Sequence, residues 1–187
     1  DSRFYEHHGL DPVGIARAIF VAVNNGGASQ GASTITQQLA RNFFLTPEKK
    51  LIRKVREAVL AVEIENTLSK QEILELYLNK IFLGYRSYGV AAAAQTYFGK
   101  NLDELTLSEM AVIAGLPKAP STMNPLYSPK RAEERRNVVL GRMLDENKIT
   151  KAEYDAAIKE PIVASYHGAK FEFRADYVTE MVRQEMV

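Results

Sequence analysis

Thr46–Gly84, read as TPEKKLIRKVREAVLAVEIENTLSKQEILELYLNKIFLG, decides the fold class. Thr46 followed by Pro47 is a helix opening, a capping residue and then a ring that pre-sets φ for the first turn. That helix is expected to run through Leu68. Ser69 with Glu72 then writes a capping box for a second helix, "KQEILELYLNKIF", which Gly84 is expected to close. Ile73, Leu74, Tyr77 and Ile81 fall where the second helix would meet a core. Glu75 and Asn79 stand four apart on it and are candidates for a buried pair.

Outward from this stretch nearly every segment carries the same helical punctuation. Asp11 before Pro12 starts a helix that ends by Gly26, with Ile15, Ile19 and Val23 in register. Ser87 and Gly99 bracket "YGVAAAAQTYF", rich in strong helix formers. Thr106 with Glu109 and Thr150 with Glu153 are two more capping boxes, and Ser128–Pro129 opens "KRAEERRNVVLGRMLDEN". Strand signals are confined to "PIVASY" and "KFEFRA". The fold class is therefore all-α, with a small irregular lobe.

The 187 residues suit one domain, residues 1–187, with a core large enough to need no covalent staples. A net charge of +1 excludes a general nucleic-acid electrolyte, so any anion site must come from local clustering. The absence of cysteine excludes disulfides, thiolate zinc sites and cysteine nucleophiles. No metal-ligand pattern such as HExxH is present, and no apolar run approaches the ~18 residues a membrane-spanning helix needs. Both ends read as cut, so the expectation is one domain of something longer.

Two stretches carry candidate chemistry. In "GASTITQQLARNFF", Gly31–Phe44, a helical wheel stacks Ser33, Gln37 and Arg41 on one line and Thr34, Gln38 and Asn42 on the next. Ile35, Leu39 and Phe43 fall elsewhere and serve the core. Hydroxyls and amides ending in a guanidinium suit a sugar or a phosphate; the plainer reading is a solvent-facing helix start. In the second stretch Lys49, Lys50, Arg53, Lys54 and Arg56 crowd two turns, and Lys49, Arg53 and Glu57 align at four-residue steps. Like charges so close repel on an isolated helix. They are either a solvated basic face or a cradle for a polyanion such as pyrophosphate. Glu57, between cations, is expected to stay ionised and to orient Arg53 and Lys54 rather than exchange protons. His7 and His8 read as surface or core decoration, and the pair Arg135–Arg136, leading into Val138, Val139 and Leu140, as holding a buried structural arginine.

Together these stretches resemble the peptidoglycan glycosyltransferase domain, family 51, of bifunctional penicillin-binding proteins and their monofunctional relatives. "DSRFYEHHG" is similar to the family's Glu-Asp-x-x-Phe-x-x-His-x-Gly at Asp1, Phe4, His7 and Gly9. "GASTITQQ" is similar to Gly-x-Ser-Thr-x-Thr-Gln-Gln, "RKVRE" to Arg-Lys-x-x-Glu at Arg53, Lys54 and Glu57, and "KQEILELYLN" to Lys-x-x-Ile-Leu-Glu-x-Tyr-Leu-Asn. "RRNVVL", from Arg135 to Leu140, is similar to Arg-Arg-x-x-Val-Leu. Five motifs in order make the signal specific. Ala32 and Arg41 depart from the more common glycine and lysine, and Arg41 keeps the charge.

The resemblance implies a lysozyme-like, two-lobed helical domain whose small lobe touches the membrane. It implies polymerisation of lipid II into β-1,4 glycan strands, with inversion at the anomeric carbon and release of undecaprenyl pyrophosphate. Glu57 and Asp1 would then be catalytic, and the general base would be a glutamate immediately before Asp1. Arg41, Lys49, Arg53 and Lys54 would bind the donor pyrophosphate, and Ser33, Thr34, Gln37, Gln38 and Asn42 the sugar. It further implies a growing lipid-linked glycan chain as partner and moenomycin as inhibitor. The site would lie at the outer, periplasmic face of the cytoplasmic membrane, anchored by an N-terminal segment. "ADYVTEMVRQEMV", within about 171–187, resembles the exit toward a transpeptidase domain. No cofactor is required; a divalent cation such as magnesium would assist pyrophosphate departure, although the sequence holds no dedicated ligand set. Rival readings are a lysozyme-like hydrolase, which would need an acidic pair and no cationic cradle, and a non-catalytic helical module binding phospholipid or polyanion.

Overall fold

The computed structural model describes residues 1–24, 31–43 and 50–168. Its helices, in order, are α1 (Pro12–Asn24), α2 (Ile35–Phe43), α3 (Lys50–Thr67), α4 (Lys70–Lys80), α5 (Val90–Phe98), α6 (Leu107–Gly115), α7 (Pro129–Asp145) and α8 (Lys151–Ala157). Short 3₁₀ turns cover Leu102–Glu104 and Leu116–Lys118. Among the described residues there is no strand beyond the isolated bridges His8–Leu10 and Phe82–Tyr88. "PIVASY" therefore joins no sheet, and "KFEFRA" lies outside the described residues.

The capping boxes form as the sequence predicts. Ser69, Thr106 and Thr150 each accept a hydrogen bond from the backbone N–H three residues on, and the Glu there reaches back to the cap. Ser128 and Pro129 open α7 as expected. The start of α3 at Thr46–Pro47 lies outside the described residues. α4 stops at Lys80 rather than running on to Gly84. The reason is a tight turn: the Ser87 N–H donates to the Gly84 carbonyl, with Tyr85 and Arg86 both at positive φ. Gly84 itself has φ +89°, and a Cβ there would lie 2.6 Å from the Pro120 carbonyl oxygen.

Burial follows the apolar periodicity, with two corrections. Ile73 and Tyr77 are buried and Leu74 and Ile81 partly so, but Glu75 and Asn79 are exposed and form no buried pair. They sit on the solvent face of α4, away from the side that carries Ile73 and Tyr77. On α1 the buried residue is Gly14, while Ile19, Phe20 and Val23 are exposed. One cluster, Phe4, Leu39 and Ile73, ties the N-terminal segment to α2 and α4. A larger one joins α5 to α6 and the 3₁₀ turn after it through Tyr97, Phe98, Val112 and Leu116, and a third packs α6, α7 and α8 through Ala111, Leu140 and Ala157. Of the pair Arg135–Arg136, the structure buries Arg136: its guanidinium donates to Ser108 Oγ and to the Ile158 and Glu160 carbonyls, clamping the chain after α8 onto α6 and α7.

Candidate active site

The site is built on α2, α3 and the segment before α1. α2 starts with a reciprocal cap of its own, which accounts for part of "STITQQ". Thr34 Oγ1 accepts from the Gln37 N–H at 3.1 Å, and Gln37 Oε1 accepts from the Thr34 N–H at 3.0 Å. Thr34 also donates to the Gly9 carbonyl at 2.7 Å. Gly9 has φ +84°, and a Cβ there would stand 2.8 Å from the Ala61 carbonyl oxygen on α3. Thr34, Thr36 and Gln37 are buried, and Thr34 and Gln37 use their polar groups to hold α2 in place. The stripe read from the wheel divides: Arg41 and Asn42 face solvent, Ser33 and Gln38 are half-buried, and the rest is interior. Tyr77, which the sequence places only in the core, donates to Gln38 Oε1 at 3.2 Å. Burial pushes the Tyr77 hydroxyl pKa up to about 12, so it acts there as a donor.

The cation cluster has a buried anion at its centre. The Glu57 side chain is fully buried. Arg41 Nε and Nη2 donate to its two oxygens at 2.9 and 3.2 Å, Lys54 Nζ lies 2.9 Å away, and Arg53 Nε 3.5 Å. Lys54 also donates to Ser33 Oγ at 2.8 Å, which joins the two motifs through one ammonium. Burial alone would raise the Glu57 pKa, but hydrogen bonds and charge from Arg41 and Lys54 outweigh it and hold the carboxyl below its usual range. A carboxylate so held orients cations and is a poor proton carrier near neutral pH. The three cations keep 36–45% of their side-chain surface open, which leaves the cluster accessible to an anion from solvent. Lys49 lies outside the described residues.

The opening motif forms a second polar centre. The Asp1 carboxylate accepts from His7 Nε2 at 3.1 Å and from the Ile35 N–H at the start of α2 at 2.8 Å. Because Nε2 faces a carboxylate it carries the proton, which makes Nδ1 the bare nitrogen of the neutral ring. Burial first, and the Lys70 charge second, hold the His7 pKa below its ordinary value. His7 is thus a structural partner of Asp1, while His8 is exposed. Glu65 and Lys70 complete this centre. Sequence reasoning misses Glu65, whose one signal is a place two turns beyond Glu57 on the same helix. A cavity of about 50 Å³ opens beside Asp1, lined by Asp11, Arg17, Ser33 and Thr34 among others. Among the described residues no group of three or more His, Asp or Glu side chains could hold a metal ion.

The chain is 89% identical to penicillin-binding protein 1A of Haemophilus influenzae over 187 residues, all of this chain and 22% of that protein. It is 69% identical to penicillin-binding protein 1A of Escherichia coli strain K12, again over its whole length and 22% of the relative. It thus spans about a fifth of the length of these relatives. The crystal structure of Haemophilus influenzae penicillin-binding protein 1A superposes with a TM-score of 0.55 at 71% identity, covering 82% of this chain and 20% of that one. The helical fold described above is consistent with a lysozyme-like domain. The transglycosylase family model matches residues 1–144, which takes in the N-terminal motif, the Glu57 cluster and most of α7, and the chain belongs to that family.

Proposed function

We propose that this chain is a peptidoglycan glycosyltransferase domain that polymerises lipid II into β-1,4-linked glycan. The observation that supports this most is the convergence of Arg41, Arg53 and Lys54 on the buried Glu57 carboxylate, one hydrogen bond from Ser33. Such a cluster, open to solvent on its cationic side, suits a pyrophosphate whose charge grows as its bond to sugar breaks. The acceptor's 4-hydroxyl oxygen forms a bond to the donor's anomeric carbon from the face opposite the leaving group. The bond from that carbon to the pyrophosphate oxygen breaks, its electron pair leaves with undecaprenyl pyrophosphate, and the configuration inverts. The hydroxyl proton passes to a general base, which we assign to a glutamate immediately before Asp1. Asp1 itself is committed to His7 and to the α2 N-terminus, which suits a positioning role better than proton transfer.

Lys49, Ser33, Gln38 and Asn42 remain in this reading as donor contacts, with Thr34 and Gln37 acting through the shape of the α2 start. The membrane surface, moenomycin and a following transpeptidase domain are proposed partners, at the periplasmic face. No helix among the described residues is long and apolar enough to cross a membrane. A hydrolase of this architecture would place a pair of carboxylates around a neutral glycosidic bond, whereas here the buried Glu57 carboxylate is neutralised by cations.

The test is a matched pair, the chain starting at Asp1 and the same chain extended upstream through the preceding residue. Both are assayed for moenomycin affinity and lipid II consumption. Similar affinity, with turnover only in the extended chain and a ~10²–10⁴-fold gap typical of a lost general base, supports the assignment. Equal turnover in both places the base elsewhere, and hydrolysis of finished glycan by either refutes the polymerase reading.

A further inference from the structure

α3 carries two buried carboxylates, Glu57 and Glu65, about 12 Å apart along its axis at ~1.5 Å per residue. The first gathers the cations of the cradle. The second gathers a different set. The Glu65 side chain is 3% exposed. It accepts from Thr36 Oγ1 of α2 at 2.6 Å and from Lys70 Nζ at the start of α4 at 2.7 Å. Lys70 in turn donates to the His7 carbonyl at 2.6 Å and lies 4.6 Å from the centre of the Phe4 ring. Glu65 Oε1 stands 4.0 Å from the bare His7 Nδ1, beyond hydrogen-bond reach, so Glu65 acts on His7 through Lys70. So the residues of the opening motif are held from both sides. His7 and Phe4 are fixed by the Glu65–Lys70 pair, and His7 then holds the Asp1 carboxylate against the Ile35 N–H.

We infer that Glu65 is a positioning residue for the acceptor half of the reaction, fixing the backbone at Asp1, and hence the base beside it, through Lys70 and His7. This rests on the glycosyltransferase reading above. The two carboxylates then divide the work: Glu57 sets the cations that receive the leaving group, and Glu65 sets the segment that receives the proton. The division has a physical basis in the contacts. Removing the Glu65 charge leaves Arg41, Arg53 and Lys54 with Glu57 still between them. It leaves Lys70 without its anion, between a carbonyl and an aromatic face, and frees Thr36.

The experiment uses the full-length protein with lipid II as substrate and moenomycin as the binding probe. Glu65→Gln should keep KM and moenomycin affinity within about threefold while kcat falls by ~10²-fold, the scale of a roughly 1 Å misplacement. Glu65→Asp, which keeps the charge, should recover a tenth or more of the wild-type kcat. Glu57→Gln, by contrast, should weaken moenomycin binding as well as kcat. If Glu65→Gln does not fold, the paired Glu65→Gln/Lys70→Met variant removes both charges together and should fold, bind moenomycin and remain slow. A folded Glu65→Gln or paired variant with wild-type kcat overturns the inference. So does a loss of moenomycin affinity in step with kcat, which would mark a merely structural role. Failure of the wild-type protein to polymerise lipid II would instead defeat the underlying functional reading.

Discussion

Glu57→Gln is the sharpest test of the cation cluster. The substitution keeps the shape and removes the buried anion that three cations share at 2.9–3.5 Å. Breaking a fully buried ion pair typically costs about 3–5 kcal/mol. Here the cations are 36–45% exposed and can turn their charge to water, so the stability loss should be smaller, about 1–3 kcal/mol. The loss in catalysis is larger. A unit charge pair at an effective dielectric near 20 is worth about 4 kcal/mol at 4 Å and about 2.8 at 6 Å. Each cation that drifts ~2 Å from a phosphate oxygen therefore forfeits about 1.4 kcal/mol, or tenfold in rate. With two or three cations unmoored, kcat/KM for lipid II should fall ~10²–10³-fold, read as initial consumption alongside a thermal melt. A folded Glu57→Gln protein within threefold of wild type would show that Arg41, Arg53 and Lys54 do not receive the leaving group. The depressed Glu57 pKa adds a pH signature. Its contribution to stability is fully present above the unfolded-state carboxyl value near ~4.3, and is lost as pH falls through the lower folded-state value.

Further expectations follow from other contacts. Lys54→Ala should nearly abolish polymerisation with little change in melting temperature, because its ammonium links Glu57 to Ser33; initial rates and a melt check this. Thr34→Val should cost about 1–2 kcal/mol in urea unfolding through loss of the α2 cap and of the bond to Gly9. Arg136→Met should cost about 3 kcal/mol, or roughly 6–12 °C in melting temperature, by leaving two partly buried carbonyls and the buried Ser108 hydroxyl without this donor. Ile52, Val55 and Val59 are 51–64% exposed on α3, so changing all three to Ser should weaken partition onto anionic phospholipid vesicles about tenfold or more. Phe44 and Leu45, and the side chains of Phe43 and Leu51, which neighbour this patch in sequence, lie outside the described residues.

The helices were legible because their signals are local. A Ser or Thr three residues before a Glu satisfies two backbone donors whatever surrounds it, and three such boxes appear at the residues expected. The end of α4 was not legible at Gly84, since the chain leaves the helix early to make a turn whose glycine is pressed against Pro120, 36 residues away. Burial of the polar stripe was hidden for the same reason. The wheel places Thr34 and Gln37 on a polar face, yet their partners, each other and the Gly9 carbonyl, turn that face inward.

The contrast between Glu57 and Glu65 marks the reach of local spacing. Glu57 announces itself because two of its cations lie three and four residues before it on one helix, a spacing at which side chains must meet. Glu65 has no such cations before it. Thr36 is 29 residues away in sequence, His7 58, and Lys70 sits across the break between α3 and α4. Its environment exists only once α2, α3, α4 and the N-terminal segment have packed. An acidic residue late in a helix of mixed charge reads as solvent-facing, and only burial with polar partners from α2 and α4 says otherwise. That asymmetry separates the two roles by experiment as well. A carboxylate set by local spacing should keep its cations gathered when distant packing is loosened, whereas one set by tertiary packing should lose its partners at once. In mild urea, below the unfolding midpoint, turnover should therefore decline before moenomycin affinity does. The opposite order, with affinity lost first, would mean that the cation cluster depends on the same packing as the Asp1 segment, and that the two halves of the site are not separately held.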